Sequence, residues 1–163
     1  MSNQLCNNLL LSSNAFSGSY WVVTGQTLAS NGVIAPDGTT TAITSTLTSA
    51  QAYIYQTLTL AIGTYTYSMW IQAVGSSVGK QAILWGWNGT AVTSPTWAGE
   101  TNNITLTLGW QRLITTFTVT TAGTINLRLD APVQTSIPAP AIGDTVNIWG
   151  AQLDTGSLAT TNI

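Results

Sequence analysis

Apolar and polar side chains alternate with a period of two along most of this chain, the mark of strands with one buried face. From Gln51 to Leu60, the residues Ala52, Ile54, Leu58 and Leu60 fall on one face, and Tyr53, Tyr55, Thr57 and Thr59 on the other. Gly63 turns the chain, and Thr64 to Ala73 alternates again, with Tyr65, Tyr67, Met69 and Ile71 opposite Thr66, Ser68, Trp70 and Gln72. Two alternating runs across a short glycine-containing loop predict a β-hairpin. Strands are also predicted over Gln81 to Trp87, Asn103 to Leu108, Trp110 to Val119, Thr124 to Asp130 and Thr145 to Leu153. Shorter candidates lie over Asn8 to Ser12, Tyr20 to Val23 and Thr41 to Leu47.

Turn chemistry falls between these runs. In Pro36-Asp37-Gly38, proline fixes φ, aspartate can close an Asx-turn and glycine accepts positive φ. Asn88-Gly89 and Ala122-Gly123 punctuate later runs, and a proline-rich loop spans Pro132 to Pro140. No stretch sustains a 3.6-residue apolar period; Ser13 to Ser19 has room for one helical turn. Eight to ten short strands predict an all-β fold, an antiparallel β-sandwich of jelly-roll type. Residues 1–163 read as a single domain with a short N-terminal arm, 1–7. The inward faces assign Leu9, Leu11, Ile54, Leu58, Met69, Ile71, Leu113, Phe117, Ile125, Leu127, Val146 and Ile148 to the core.

Composition changes this picture in one respect. The chain carries three Lys or Arg, five Asp or Glu and no histidine, so 5% of it is charged, against about 25% in an average soluble domain. Charge keeps monomers apart, so a chain this neutral is expected to pack into an assembly or to bind through a neutral surface. Without histidine it lacks the commonest general acid–base group and metal ligand. There is no clustered Lys or Arg for nucleic acid and no apolar run of membrane-spanning length. Leu9 to Leu11, the longest apolar run near the N-terminus, has no preceding positive charge, so no signal peptide is expected. The single cysteine, Cys6, has no partner for an internal disulfide and reads as a spectator thiol.

Five short segments occur in an order that resembles a known family. They are N-L-L-L-S-S-N-A-F with the following Trp21, A-P-D-G-T-T-T-A (Ala35 to Ala42), Y-T-Y-S-M-W-I-Q-A (Tyr65 to Ala73), W-Q-R-L (Trp110 to Leu113) and V-N-I-W-G-A-Q-L-D-T-G-S-L-A-T (Val146 to Thr160). The pattern resembles a jelly-roll module of bacteriophage structural and tail proteins. It is also similar to the carbohydrate-binding-module-like domains of some bacterial surface proteins. The resemblance covers nearly the whole chain and implies the sandwich fold, but modules of this kind serve many roles. It also implies that a calcium ion could be held, with Asp130, Asp144 or Asp154 contributing. Isolated acids are more often turn formers or ion-pair partners, so no metal and no cofactor is expected. Arg112 and Asp154 are candidates for a structural ion pair.

Enzymatic chemistry finds little support. The five acids lie in or beside predicted turns, with no pair spaced for convergence as a glycosidase requires. Gly75 to Lys80 (G-S-S-V-G-K) lacks the spacing of a phosphate loop and reads as a flexible hairpin tip. The binding candidates are aromatic: Tyr53, Tyr55, Trp85, Trp87 and Trp97, with the three tryptophans in a polar, loop-rich stretch. They could stack on sugars or form a subunit contact, since aromatics are enriched in both settings. Two readings follow. The first is a non-enzymatic virion structural protein of a bacteriophage, a capsid decoration, cement or fibre subunit, forming a homotrimer and contacting other virion proteins. The alternative is a carbohydrate-binding module that recognises a host-surface glycan from a phage tail fibre.

Overall fold

In a computed structural model the described residues are 8–16, 18–87, 92–93 and 103–160. They form an antiparallel β-sandwich of two sheets. The strands are β1 (Trp21–Thr24), β2 (Gln26–Val33), β3 (Ala42–Leu47), β4 (Tyr53–Leu60), β5 (Gly63–Val74), β6 (Gln81–Trp87), β7 (Val92–Thr93), β8 (Asn103–Thr105), β9 (Gln111–Val119), β10 (Gly123–Asp130) and β11 (Thr145–Thr155). One sheet has the order β1-β4-β10-β6-β8 and the other β2-β3-β11-β5-β9-β7. The count exceeds the expected eight to ten because of β2, which the alternation did not reveal, and the two-residue β7. The expected turn after Trp87, at Asn88-Gly89, falls outside the described residues.

The core lies between the sheets. Ile54, Leu84, Ile125, Leu127 and Leu129 face inward from the five-stranded sheet, and Tyr67, Met69, Ile71, Leu113, Phe117, Val146, Ile148 and Leu153 from the other. Phe117 stacks on Tyr65 with ring centroids 5.9 Å apart. Nine of the twelve residues assigned to the core are buried. Leu9 and Leu58 are only partly buried, and Leu11 is 50% exposed. The segment before β1 is not a regular strand, so period-two counting fails there. Leu10 enters the core instead. Leu11 is held by its backbone, its N–H donating to Gln56 Oε1 at 2.9 Å and its carbonyl accepting from Gln56 Nε2 at 2.8 Å and Trp21 Nε1 at 3.0 Å. The segment runs beside β11, where Leu9 N–H bonds the Leu153 carbonyl at 3.1 Å.

The last strand carries a bulge between Trp149 and Gln152. Gly150 takes φ 63° there, a conformation glycine adopts without a Cβ penalty. Alternation with Ile148 puts Trp149 on the outer face, where it packs with Ala35 and Ala42, with Trp70 and Trp110 alongside, and the bulge shifts the phase so that Ala151 and Leu153 return to the core. The Ala35–Ala42 loop that covers Trp149 closes on the predicted Asx-turn: Asp37 Oδ1 accepts from Thr39 N at 2.9 Å and Thr39 Oγ1 at 2.7 Å.

Two sequence expectations are corrected here. Arg112 and Asp154 do not pair directly; Gln152 stands between them, accepting from Arg112 Nη2 at 3.5 Å and donating to Asp154 Oδ1 at 3.1 Å. Arg112 Nη2 also donates to Ser68 Oγ and to the Thr160 carbonyl, so the cluster ties the C-terminal segment onto the six-stranded sheet. Gly75 to Lys80 is no free hairpin tip. It contains a 3-10 turn at Gly75–Ser77, and Lys80 forms a buried ion pair with Asp144. Burial of Asp144 tends to raise its pKa, but hydrogen bonds from Lys80, Ala141 N–H and Ser76 Oγ together hold it below the ordinary carboxylate value.

Candidate functional site

The outer face of the five-stranded sheet is open to solvent at its centre, and its side chains are those the alternation of β4, β6 and β10 turns away from the core. Ile54, Leu84 and Leu127 point inward, so Tyr53, Tyr55, Trp85, Asn126 and Arg128 point outward. Register then gathers them. Arg128 sits opposite Tyr55 on one neighbouring strand and opposite Trp85 on the other. Tyr53, Tyr55, Trp85, Asn126 and Arg128 line a cleft of about 430 Å³.

Arg128 organises the cleft. Its guanidinium carbon lies 3.7 Å from the centroid of the Tyr53 ring and 5.0 Å from that of Trp85, within cation–π range of both. Its Nε and Nη2 donate to Asp130 Oδ1 and Oδ2 at 2.5 and 3.0 Å, a bidentate pair. Burial pushes the Asp130 pKa above its ordinary value, and the hydrogen bonds and charge of Arg128 oppose the rise, as does Trp85. Trp85 Nε1 is itself buried without a hydrogen bond of normal geometry. Behind the sheet, burial raises the Tyr67 phenol pKa, and the negative charge of Asp130 adds to the rise. Tyr53 and Tyr55 stand with ring centroids 6.1 Å apart and tilted by 32°. Asn126 Oδ1 accepts from Thr57 Oγ1 at 2.8 Å, which fixes the amide with its NH2 free to donate. The cleft thus offers aromatic surface beside amide and guanidinium donors, with one face of Tyr53 covered by Arg128.

Of the five aromatics singled out from the sequence, Tyr53, Tyr55 and Trp85 converge here. Trp87 occupies the register position opposite Asn126, and Trp97 lies outside the described residues. Asn126 and Arg128 were not among the candidate site residues, and Asp130 was weighed only as a calcium ligand; cross-strand register is what brings Asn126 and Arg128 to the rings. The aspartates weighed as calcium ligands do not gather. Asp130 is held by Arg128, Asp144 by Lys80, and Asp154 by Gln152 and Thr160. Among the described residues no group of three or more His, Cys, Asp or Glu comes together. A second opening, of about 460 Å³, lies against β2 and β3 between Phe16, Leu28, Ile43 and Thr41. Phe16, the ring in its lining, is only 2% exposed, so it presents no aromatic platform.

The sandwich fold is one the chain shares with solved carbohydrate-binding modules. The chain is similar to TmCBM61, solved in complex with β-1,4-galactotriose, at 16% identity over 91% of this chain and 99% of that one, with a TM-score of 0.60. It is similar to the CBM22-1 xylan-binding domain from Paenibacillus barcinonensis Xyn10C at 16% identity, over 86% and 88% of the two chains, with a TM-score of 0.58. A third likeness is to tailspike protein 4 of bacteriophage CBA120, at 13% identity over 91% of this chain but 21% of the tailspike domain, with a TM-score of 0.54. No protein-family model and no curated protein sequence matches the chain.

Proposed function

We propose that this chain is a non-enzymatic carbohydrate-binding domain that takes a glycan against the aromatic outer face of its five-stranded sheet. The observation that carries the reading is the convergence of Tyr53, Tyr55 and Trp85 with Asn126 and Arg128 in one open cleft. A sugar ring has apolar C–H faces and a hydroxyl rim. Half-buried rings desolvate and stack on the faces, while the fixed donors orient the rim. Two structural neighbours are, by their descriptions, a module bound to a galactotriose and a xylan-binding domain, which supports the same ligand class here. The charge-poor chain fits a neutral, hydroxyl-rich partner. The test is affinity electrophoresis on a panel of soluble polysaccharides. The native chain should be retarded by at least one of them, and a Trp85→Ala variant should run freely on the same gel. Equal retardation of both would remove the cleft from the reading.

The tailspike likeness favours a second reading, in which the domain belongs to a phage particle. The homotrimer, the virion location and the contacts with other virion proteins inferred from the sequence belong to this reading. In it the cleft would serve host-surface recognition. Sedimentation over a wide concentration range tests it: a trimer supports a virion subunit, and a monomer at high concentration counts against one.

A further inference from the structure

One ion pair, Arg128 with Asp130, sets the charge at the cleft. We infer that Asp130 is the residue that makes the cleft reject acidic glycans, by occupying and neutralising the guanidinium of Arg128. The inference rests on the glycan-binding reading above and adds a specificity determinant to it.

An arginine exposed among aromatic rings would ordinarily favour an acidic sugar, because its planar fork matches a carboxylate or sulfate in a bidentate way. Here a carboxylate already sits in that fork. Nε and Nη2 both donate to Asp130, which is 8% exposed and therefore cannot be displaced into water without moving β10. The donors left over, on Nη1 and Nη2, belong to a group whose charge is already balanced. They suit the oxygen of a hydroxyl. An incoming uronate would find the Nε–Nη2 fork taken and the Asp130 carboxylate across the guanidinium cancelling most of its attraction, so the uronate would lose hydration without a counter-charge to replace it.

Neither of the other two basic side chains compensates. The chain has three Lys and Arg residues. Lys80 is buried in its pair with Asp144. Arg112 faces outward from the six-stranded sheet, on the far side of the sandwich, where it holds Ser68 and Thr160. The rings also hold Arg128 in place, since it is stacked on Tyr53 and against Trp85. Freed of Asp130, the guanidinium would remain in the cleft with its charge uncompensated.

The experiment is isothermal titration of the full chain with neutral β-1,4-linked gluco- and galacto-oligosaccharides and with the same oligosaccharides oxidised at C6 to uronates. The native chain should prefer the neutral forms by about tenfold or more. Asp130→Asn, shown to be folded by its thermal melt, should gain about tenfold in affinity for the oxidised forms, and the gain should fade with added salt. Adding Arg128→Gln should abolish the gain. A native chain that binds oxidised and neutral forms equally would overturn the inference and leave glycan binding standing. So would a folded Asp130→Asn with no gain. A native chain that binds none of these and is retarded by no polysaccharide on the affinity gels would instead remove the glycan-binding reading, and the inference with it. Should Asp130→Asn fail to fold, the preference of the native chain decides alone.

Discussion

Replacing Asp144 by asparagine should destabilise the domain far more than any surface substitution. Asp144 is 1% exposed and the Lys80 side chain 7%. The carboxylate takes three hydrogen bonds: from Lys80, from Ser76 Oγ at 2.7 Å and from the Ala141 N–H at 2.7 Å. The asparagine side chain keeps the shape but leaves the Lys80 ammonium buried without a counter-charge. Breaking a buried pair from one side typically costs about 3–5 kcal/mol. For a domain of this size that lowers Tm by roughly 10 °C. The double variant Lys80→Met, Asp144→Leu removes both charges and should lose less than the single one. The pH dependence has a definite sign. The folded-state pKa of Asp144 is depressed, so its stabilisation is present above the unfolded-state value and is lost as pH falls through the folded one. The gap between native and Asp144→Asn should therefore be widest near neutrality and close in strong acid. Urea unfolding followed by tryptophan fluorescence at several pH values measures this. A loss below about 1 kcal/mol at neutral pH would show that water reaches the pair.

Three further outcomes follow from the packing and the cleft. Phe117→Ala removes a ring buried against Tyr65 and should cost about 3–5 kcal/mol in the same urea experiment, where a loss below about 1 kcal/mol would place that ring outside the core. Gly25→Ala should cost more than about 1 kcal/mol, because Gly25 has φ +64° and an added Cβ would sit 2.2 Å from the Gln51 carbonyl oxygen; an unchanged melting temperature would contradict that turn. Tyr55→Ala should weaken glycan retardation on gels while leaving the melt within a few degrees, since Tyr55 is a half-buried member of the cleft wall and not of the core.

The strands legible in the sequence were those with one wet and one dry face. β4, β9 and β10 alternate because the sandwich buries one side only, and their bounds shifted by a residue or two. β2 escaped because this edge strand is exposed over most of its length, so burial imposes no alternation on it. Leu11 was misplaced because an irregular segment obeys no period. The aromatic half of the site was legible, since Tyr53, Tyr55 and Trp85 are large rings on outward positions of predicted strands. The polar half was not. Arg128 and Asn126 had the right face, but only the pairing of β10 between β4 and β6 shows that they stand among those rings. Register between strands far apart in the chain, as Arg128 is from both Tyr55 and Trp85, is set by the whole sandwich, and no local spacing encodes it.

The central claim is that a glycan occupies the cleft on the five-stranded sheet. The most direct measurement is an NMR titration that follows the indole N–H signals of the seven tryptophans, assigned by Trp→Phe substitution, as a polysaccharide-derived oligosaccharide is added. Trp85 lines the cleft, whereas Trp149 is buried on the opposite sheet with its Nε1 bonded to Thr41 Oγ1 at 3.0 Å. The account predicts a saturable shift of the Trp85 signal with Trp149 and Trp110 unmoved. A saturable shift of Trp70 or Trp110 with Trp85 silent would place the ligand on the six-stranded sheet and contradict it.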